Sequence, residues 1–169
     1  MDAAVPSGVV VVITDTRTAA DARAMLERVV DPDLPFLSIE DMAILRDVVV
    51  SCDGTATVTI TPTYSGCPAM DVIVSDIESV LTNGGFAAVE VEVVHSPAWT
   101  TEWMSQEAKQ KLAANRIAPP GPLGVVAEIL CPVCSSDSIA TVSEFGSTAC
   151  KSLMVCTRCG EPFDYFKAI

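Results

Sequence analysis

Six of the seven cysteines stand at addresses with a chemical reading. Cys131-Pro132-Val133-Cys134 and Cys156-Thr157-Arg158-Cys159-Gly160 are two C-x-x-C units with 21 residues between Cys134 and Cys156. Two such units bracketing a strand-like stretch, Ile139 to Phe145, bring four sulfurs to one tetrahedral centre. Zinc is the expected metal, although a rubredoxin-like iron satisfies the same ligands. Four thiolates leave no open position for water or substrate, so the expected role is structural, with the module serving as an interaction platform. Residues 126–169 are too few to bury a sufficient core alone, so the metal is expected to supply much of their folding energy.

Cys67 has a different address, in Thr61-Pro62-Thr63-Tyr64-Ser65-Gly66-Cys67-Pro68. Before it, Thr57, Thr59 and Thr61 alternate with Val58 and Ile60, the period of a half-buried strand. After it, Met70, Ile73, Val74, Ile77, Val80 and Leu81 recur at helical spacing. Pro68 suits the first helical position, which puts Cys67 at or near the N-cap. Free backbone N–H groups and the helix dipole there favour a thiolate. The competing reading is a small residue packed in a tight loop, as free cysteines commonly are.

Cys150, in Phe145-Gly146-Ser147-Thr148-Ala149-Cys150-Lys151, has three readings: substitute metal ligand, thiol made acidic by Lys151, or small residue packed in the ribbon hairpin. Cys52 beside an Asp-Gly turn reads as incidental. The sole histidine, His95, follows a strand in a loop, so a Cys–His enzyme would rest on that one residue. The chain is read as non-catalytic by itself.

The elements that carry these residues follow from the chain in order. Val9 to Ile13 reads as an edge strand or a loose leader, and with Asp2 in place of a basic region no secretory signal is expected. Thr18 to Asp21 is a capping box opening a helix with Ala22, Met25, Leu26, Val29 and Val30 on its apolar face. Asp31-Pro32-Asp33-Leu34-Pro35 ends it. Ser38 with Asp41 predicts a single helical turn, and Ile44 to Ser51 a strand joined by Asp53-Gly54 to the Thr57–Thr61 strand. The helix after Cys67 stops at Asn83-Gly84-Gly85, and Val89, Val91 and Val93 alternating with Glu90 and Glu92 form a third strand. Thr101 to Ala114 reads as one helix, and Glu161 to Phe166 as an aromatic ribbon strand.

The fold class is α+β: a small two-layer unit over 18–115, a Pro/Gly linker over 116–125 with Pro119, Pro120, Gly121 and Pro122, and a β-rich four-cysteine ribbon over 126–169.

The net charge of −12 is uneven: residues 1–115 hold 6 Lys+Arg against 17 Asp+Glu, and residues 116–169 hold 4 against 5. An acidic body without a basic cluster argues against nucleic acid and anionic membrane surfaces. The ribbon's Lys151, Arg158 and Lys167 are too few for a nucleic-acid face, so a protein partner is expected. No stretch approaches the ~18–20 apolar residues of a membrane helix. An odd cysteine count with paired C-x-x-C units fits metal ligation in a reducing compartment, the cytoplasm.

These residues also carry a resemblance. Asp31-Pro32-Asp33-Leu34-Pro35, Leu37-Ser38-Ile39-Glu40-Asp41-Met42 and Thr61-Pro62-Thr63 with Gly66-Cys67-Pro68 resemble the small domain of SufT-like iron–sulfur assembly factors. Ser96-Pro97-Ala98-Trp99-Thr100-Thr101-Glu102-Trp103, Ile117-Ala118-Pro119-Pro120, Cys131-Pro132-x-Cys134 and Phe145-Gly146-Ser147-Thr148-x-Cys150-Lys151 narrow it to the PaaD family, encoded with the multicomponent phenylacetyl-CoA oxygenase of aerobic phenylacetate degradation. The match runs from about residue 22 to the C-terminus. Asp33 stands where the family usually has Glu, and Met42 where Leu is common.

The resemblance implies that Asp31, Thr61, Thr63 and Cys67 converge on a shallow site that handles iron or an iron–sulfur cluster transiently. In that reading Cys67 and Asp31 are ligands and the threonines donate to sulfur. One cysteine cannot hold a cluster by itself, so a homodimer or a site shared with the client is implied. The implied partners are the oxygenase's reductase or di-iron subunit, and the implied role is maturation. A purely structural adaptor, with no chemistry at Cys67, is the alternative.

Overall fold

The computed structural model describes residues 17–123 and 129–169. The expected strand over Val9 to Ile13 lies outside those residues, as do positions 124 to 128 around the end of the linker.

The first unit begins with α1 (Ala19–Leu26), whose Thr18 and Asp21 form the expected reciprocal cap. The chain then turns through a two-stranded hairpin, β1 (Val30–Asp31) and β2 (Leu34–Ser38), which the Asp-Pro spacing had suggested only as a helix stop. Ser38 and Asp41 cap the single turn that follows, each backbone N–H donating to the other's side chain at 3.0 Å. Strands β3 (Leu45–Val50) and β4 (Thr55–Ile60) pair antiparallel across the Asp53-Gly54 turn. Helix α2 (Ala69–Asn83) crosses back so that β5 (Ala88–Val93) lies parallel to β4, giving the order β3-β4-β5. A parallel neighbour requires such a crossover, and here α2 is the crossover.

Alternation decides the buried face. Ala56, Val58 and Ile60 of β4 and Ala69, Met70, Ile73, Ile77 and Leu81 of α2 are buried, while the threonines between the β4 positions stay half-exposed. Helix α1 packs on α2 and on β3. Sheet and helices thus make the two layers expected.

The stretch expected as one helix over Thr101 to Ala114 is broken. Residues Thr101–Trp103 form a 3₁₀ turn, and α3 starts afresh at Gln106–Ala114. Ser105 is extended and its hydroxyl accepts from the Ala108 N–H at 3.0 Å, so a local cap outcompetes helix continuation.

The second sheet has the order β6-β9-β8-β7, formed by β7 (Ile139–Ser143), β8 (Lys151–Cys156), β9 (Pro162–Phe166) and β6 (Ile117–Ala118). Ile117 and Ala118 fall in the stretch read as linker. They are instead buried and pair parallel with Asp164 and Tyr165.

Ribbon and first unit share apolar packing. Phe163 lies in a small ribbon core with Ala118, Cys131, Met154 and Cys156. Phe166, three residues on, is fully buried in the main core, with its ring centroid 6.3 Å from that of Trp99. The Trp99 indole donates to the Met42 carbonyl at 2.8 Å, and the Ile169 carbonyl accepts from the Thr101 N–H at 3.0 Å and the Thr100 hydroxyl at 2.8 Å. Removing a buried phenylalanine side chain costs about 3–5 kcal/mol. Phe166→Ala is therefore expected to lower the unfolding free energy of the whole chain by about that amount in urea titration. A loss confined to the ribbon, with the first unit's transition unmoved, would contradict a shared core.

Candidate functional site

The loop from Thr61 to Pro68 leaves β4 and feeds α2. Thr61, Pro62 and Thr63 are buried, and the Thr61 N–H donates to the Ile44 carbonyl at 2.9 Å. The loop closes on itself through Cys67 N–H to Tyr64 carbonyl at 3.3 Å, a turn made possible by Gly66 at φ +84°. That backbone conformation disfavours a side chain, although a Cβ there would meet no neighbour within 4 Å. Pro68 occupies the N-cap of α2 and Cys67 precedes it by one residue. The expected order was Cys67 at or near the cap with Pro68 one position inside. Cys67 is nonetheless joined to the first turn, since its carbonyl accepts from the Met70 N–H at 3.2 Å.

Asp31 lies in the β1–β2 hairpin, whose first strand contacts helix α2. Its Oδ1 accepts from the Asp33 N–H at 2.8 Å and from the Leu34 N–H at 2.9 Å, an Asx turn across Pro32. Both bonds fall on Oδ1, so Oδ2 is the oxygen available to a ligand. The residue is buried, and burial holds its carboxyl above the ordinary value against the pull of the two N–H donors. Lys151 opposes the rise from a distance.

Cys150 comes to this site from the ribbon. It is buried and packs in the first unit's core, not in the ribbon's own, and the Cys67 side chain packs against that same core. Burial pushes the Cys150 thiol up; the Thr148 hydroxyl, 3.0 Å from its sulfur, pulls it down, and Asp31 and Cys67 raise it further. Lys151 lowers this thiol, as one of the three readings of Cys150 has it, but desolvation outweighs the ammonium and the net shift is upward. Tyr64 closes the group: burial and then the Cys67 thiol push its hydroxyl up, with Cys150 also contributing.

Of the residues implied as a site, Asp31 and Cys67 both act by charge on Cys150, and Thr61 and Thr63 are buried in the loop that carries Cys67; among the described residues the ligand atoms close enough to share a metal are those of the four ribbon cysteines alone. Tyr64 was not singled out by sequence reasoning; its place three residues before Cys67 was the available signal. His95 is exposed.

The four C-x-x-C cysteines are a separate centre. All four sulfurs lie within 4.8 Å of one another, with Cys131 and Cys159 at 3.7 Å and Cys134 and Cys156 at 3.6 Å. A tetrahedron with bonds of ~2.3 Å has sulfur–sulfur edges of about 3.8 Å, so this spacing fits one thiolate-bound metal. The Val133 N–H donates to the Cys131 sulfur at 3.4 Å. The backbone N–H groups of Cys159 and Arg158 lower the Cys156 thiol to about 6, while Cys159, against the pull of the Glu161 N–H, is pushed up to about 12 by burial and the neighbouring sulfurs. Cys150 is not in this set, so it does not replace a ligand.

A carboxyl raised by burial gives stability at low pH that fades as pH rises from the unfolded value of 3.8 through the folded one. At neutral pH the charged form of Asp31 is a net cost. Asp31→Asn is accordingly expected to raise the melting temperature near pH 7, with the gain shrinking toward pH 4 in scans of both proteins. A lowered melting temperature at pH 7 would contradict the burial argument.

Comparison with known proteins bears on both centres. Residues 19–93 match the iron–sulfur cluster assembly protein family, and residues 118–167 match the PaaD zinc beta ribbon domain. An Escherichia coli K12 protein, provisionally named as one of the subunits of 1,2-phenylacetyl-CoA epoxidase, is 43% identical over 150 residues, covering 86% of this chain and 90% of that protein. An Fe-S protein maturation auxiliary factor from Porphyromonas gingivalis is 35% identical over 97 residues, covering 57% of this chain and 91% of its own length. Among solved structures, a Bacillus anthracis domain of unknown function, DUF59, superposes with a TM-score of 0.53 at 36% identity, covering 56% of this chain and 90% of that one. With both units matched in order and most of each chain aligned to the Escherichia coli relative, this chain belongs to the PaaD family, an iron–sulfur assembly domain joined to a zinc beta ribbon.

Proposed function

We propose that the protein is an accessory subunit of a multicomponent phenylacetyl-CoA oxygenase and assists assembly of an iron–sulfur or di-iron centre in that complex. The observation that carries this reading is the joining, in one chain, of an iron–sulfur assembly domain that bears Cys67 with a zinc beta ribbon, in a chain whose relatives are named for Fe-S maturation and as part of an epoxidase. A buried carboxyl kept against its desolvation cost, in the same unit as the half-buried Cys67, is better explained by ligation than by packing. Iron is cargo here. Cys67, half-buried at the loop surface, is its point of entry, and Asp31 supplies a hard oxygen. Thr61 and Thr63 shape the loop and offer hydroxyls toward sulfur. The client is the reductase or the di-iron subunit, and contact with it completes the ligand shell during transfer.

In the ribbon, zinc would be held by Cys131, Cys134, Cys156 and Cys159, supplying fold stability and no reaction step. Among the described residues no helix is long and apolar enough to cross a membrane. The chain is assigned to the cytoplasm on its thiol-rich composition.

Two substitutions separate the centres. Cys67→Ser is expected to leave the chain folded, zinc-loaded and bound to the oxygenase, while the client matured with it loses iron or labile sulfide. Unchanged client metal content would leave only the structural adaptor. Cys131→Ser or Cys159→Ser is expected to release one zinc equivalent and unfold the ribbon; a folded, metal-free wild-type chain on elemental analysis would overturn the structural-metal assignment.

A further inference from the structure

We propose, independently of whether Cys67 handles iron, that the free edge of β5 docks an extended, cationic segment of a partner protein, which joins the β3-β4-β5 sheet as a further strand.

A strand at the edge of a sheet presents unpaired N–H and C=O groups, and folded proteins blunt such edges with bulges, prolines or very short strands. Among the described residues β3 and β7 each carry a register shift, β2 carries Pro35, and β1 and β6 are two residues long. Strand β5 has none of these guards. It pairs with β4 in unbroken register from Thr55↔Ala88 to Ile60↔Val93, and among the described residues β4 is its one strand neighbour.

The backbone of β5 aims its free groups outward. The Val94 N–H donates to the Ile60 carbonyl at 2.8 Å, so the alternate residues back along the strand, Glu92 and Glu90, also face β4. The N–H and C=O groups of Val89, Val91 and Val93 therefore point to the free edge. Their side chains share a face with their buried β4 partners Ala56, Val58 and Ile60. Val89 and Val91 are half-buried against the core there, and Val93 is still 43% exposed. A strand added at this edge covers what β5 leaves open.

Charge selects the occupant. Glu90 and Glu92 are exposed on the other face, paired with Thr57 and Thr59, and Asp47 lies on that face beyond Thr59. Glu90 and Glu92 take part in none of the ion pairs found among the described residues. A second copy of the chain, added edge to edge, sets these glutamates against their own counterparts, and like charges across strands are destabilising. An incoming strand that alternates Lys or Arg with apolar residues meets the glutamates with opposite charge and the valines with apolar contact. Strand addition of this kind draws affinity from main-chain bonds and specificity from alternate side chains. The added strand lies two strand spacings, about 10 Å, from β4, whose end leads into the Cys67 loop.

The test adds a short fluorescein-labelled peptide alternating lysine with valine to the zinc-loaded full chain. Anisotropy reads the affinity, and hydrogen exchange followed by NMR reads each backbone amide. The alternating peptide is expected to bind at least about tenfold more tightly than one of the same composition with lysines and valines in separate blocks. Exchange should slow at Val89, Val91 and Val93 and stay unchanged at Glu90 and Glu92, which already face β4. Glu90→Lys combined with Glu92→Lys should weaken binding of the lysine peptide at least about tenfold and accept a peptide alternating glutamate with valine in its place. Equal binding of the block peptide, which needs no variant to fold, overturns the proposal, as does no binding or protection confined to other strands. Slow exchange at Val89, Val91 and Val93 in the free chain also overturns it: relief on dilution assigns the edge to a second copy, and relief on deleting residues 1–16 assigns it to the chain's own N-terminal segment.

Discussion

Phe166 is the last residue of a ribbon strand and lies, fully buried, against Trp99 in the core of the preceding α+β unit. That packing sets where the ribbon sits, and with it where the turn before β8 presents Cys150. Two neighbouring interactions fix the orientation. Strand β6 joins the ribbon sheet from the end of the first unit, and the Ile169 carbonyl is gripped by Thr100 and Thr101. A ribbon on a free tether would offer a docking surface only. This one contributes side chains, Cys150 and Phe166, to the first unit's core.

Several buried ionisable groups of the two units work against stability. Asp31 is buried with its carboxyl pushed toward the neutral form, Cys150 is buried with its thiol pushed up, and Lys151 is buried with Asp164 as counter-ion. Replacing such groups with apolar residues of similar volume is often neutral or stabilising. The ribbon centre shows the opposite design, four sulfurs at near-tetrahedral spacing with backbone N–H groups aimed at sulfur. Four sulfurs so placed would hold one metal in a closed shell with no position left for exchange.

Much of this was legible in residue order. The four ribbon ligands follow from C-x-x-C spacing alone, because metal geometry constrains sequence locally. The alternation of β4 and the 3.6-residue period of α2 likewise betray their buried faces. Three features were not legible, each for a stated reason. The β1–β2 hairpin is held by Asp31 Oδ1 accepting from Asp33 and Leu34, and Asp-Pro reads equally well as a helix stop. The break at Ser105 is a local cap that helical periodicity conceals. The burial of Cys150 in the other unit's core depends on contacts between residues far apart in the chain, such as Trp99 and Phe166, which no local pattern encodes. For the same reason the net shift of Cys150 runs against the lowering effect of Lys151: adjacency is visible in sequence and desolvation is not.

The central claim is that iron passes through the Cys67 site to a client. Its most direct test is transfer of iron-57 from the loaded full chain to metal-free oxygenase components in the presence of a chelator that captures free iron, followed by Mössbauer spectroscopy of the separated client. The account predicts iron-57 in the client from wild-type chain and iron-57 on the chelator from Cys67→Ser. Equal delivery by both proteins, or delivery by neither while the chelator takes all the iron, would contradict it.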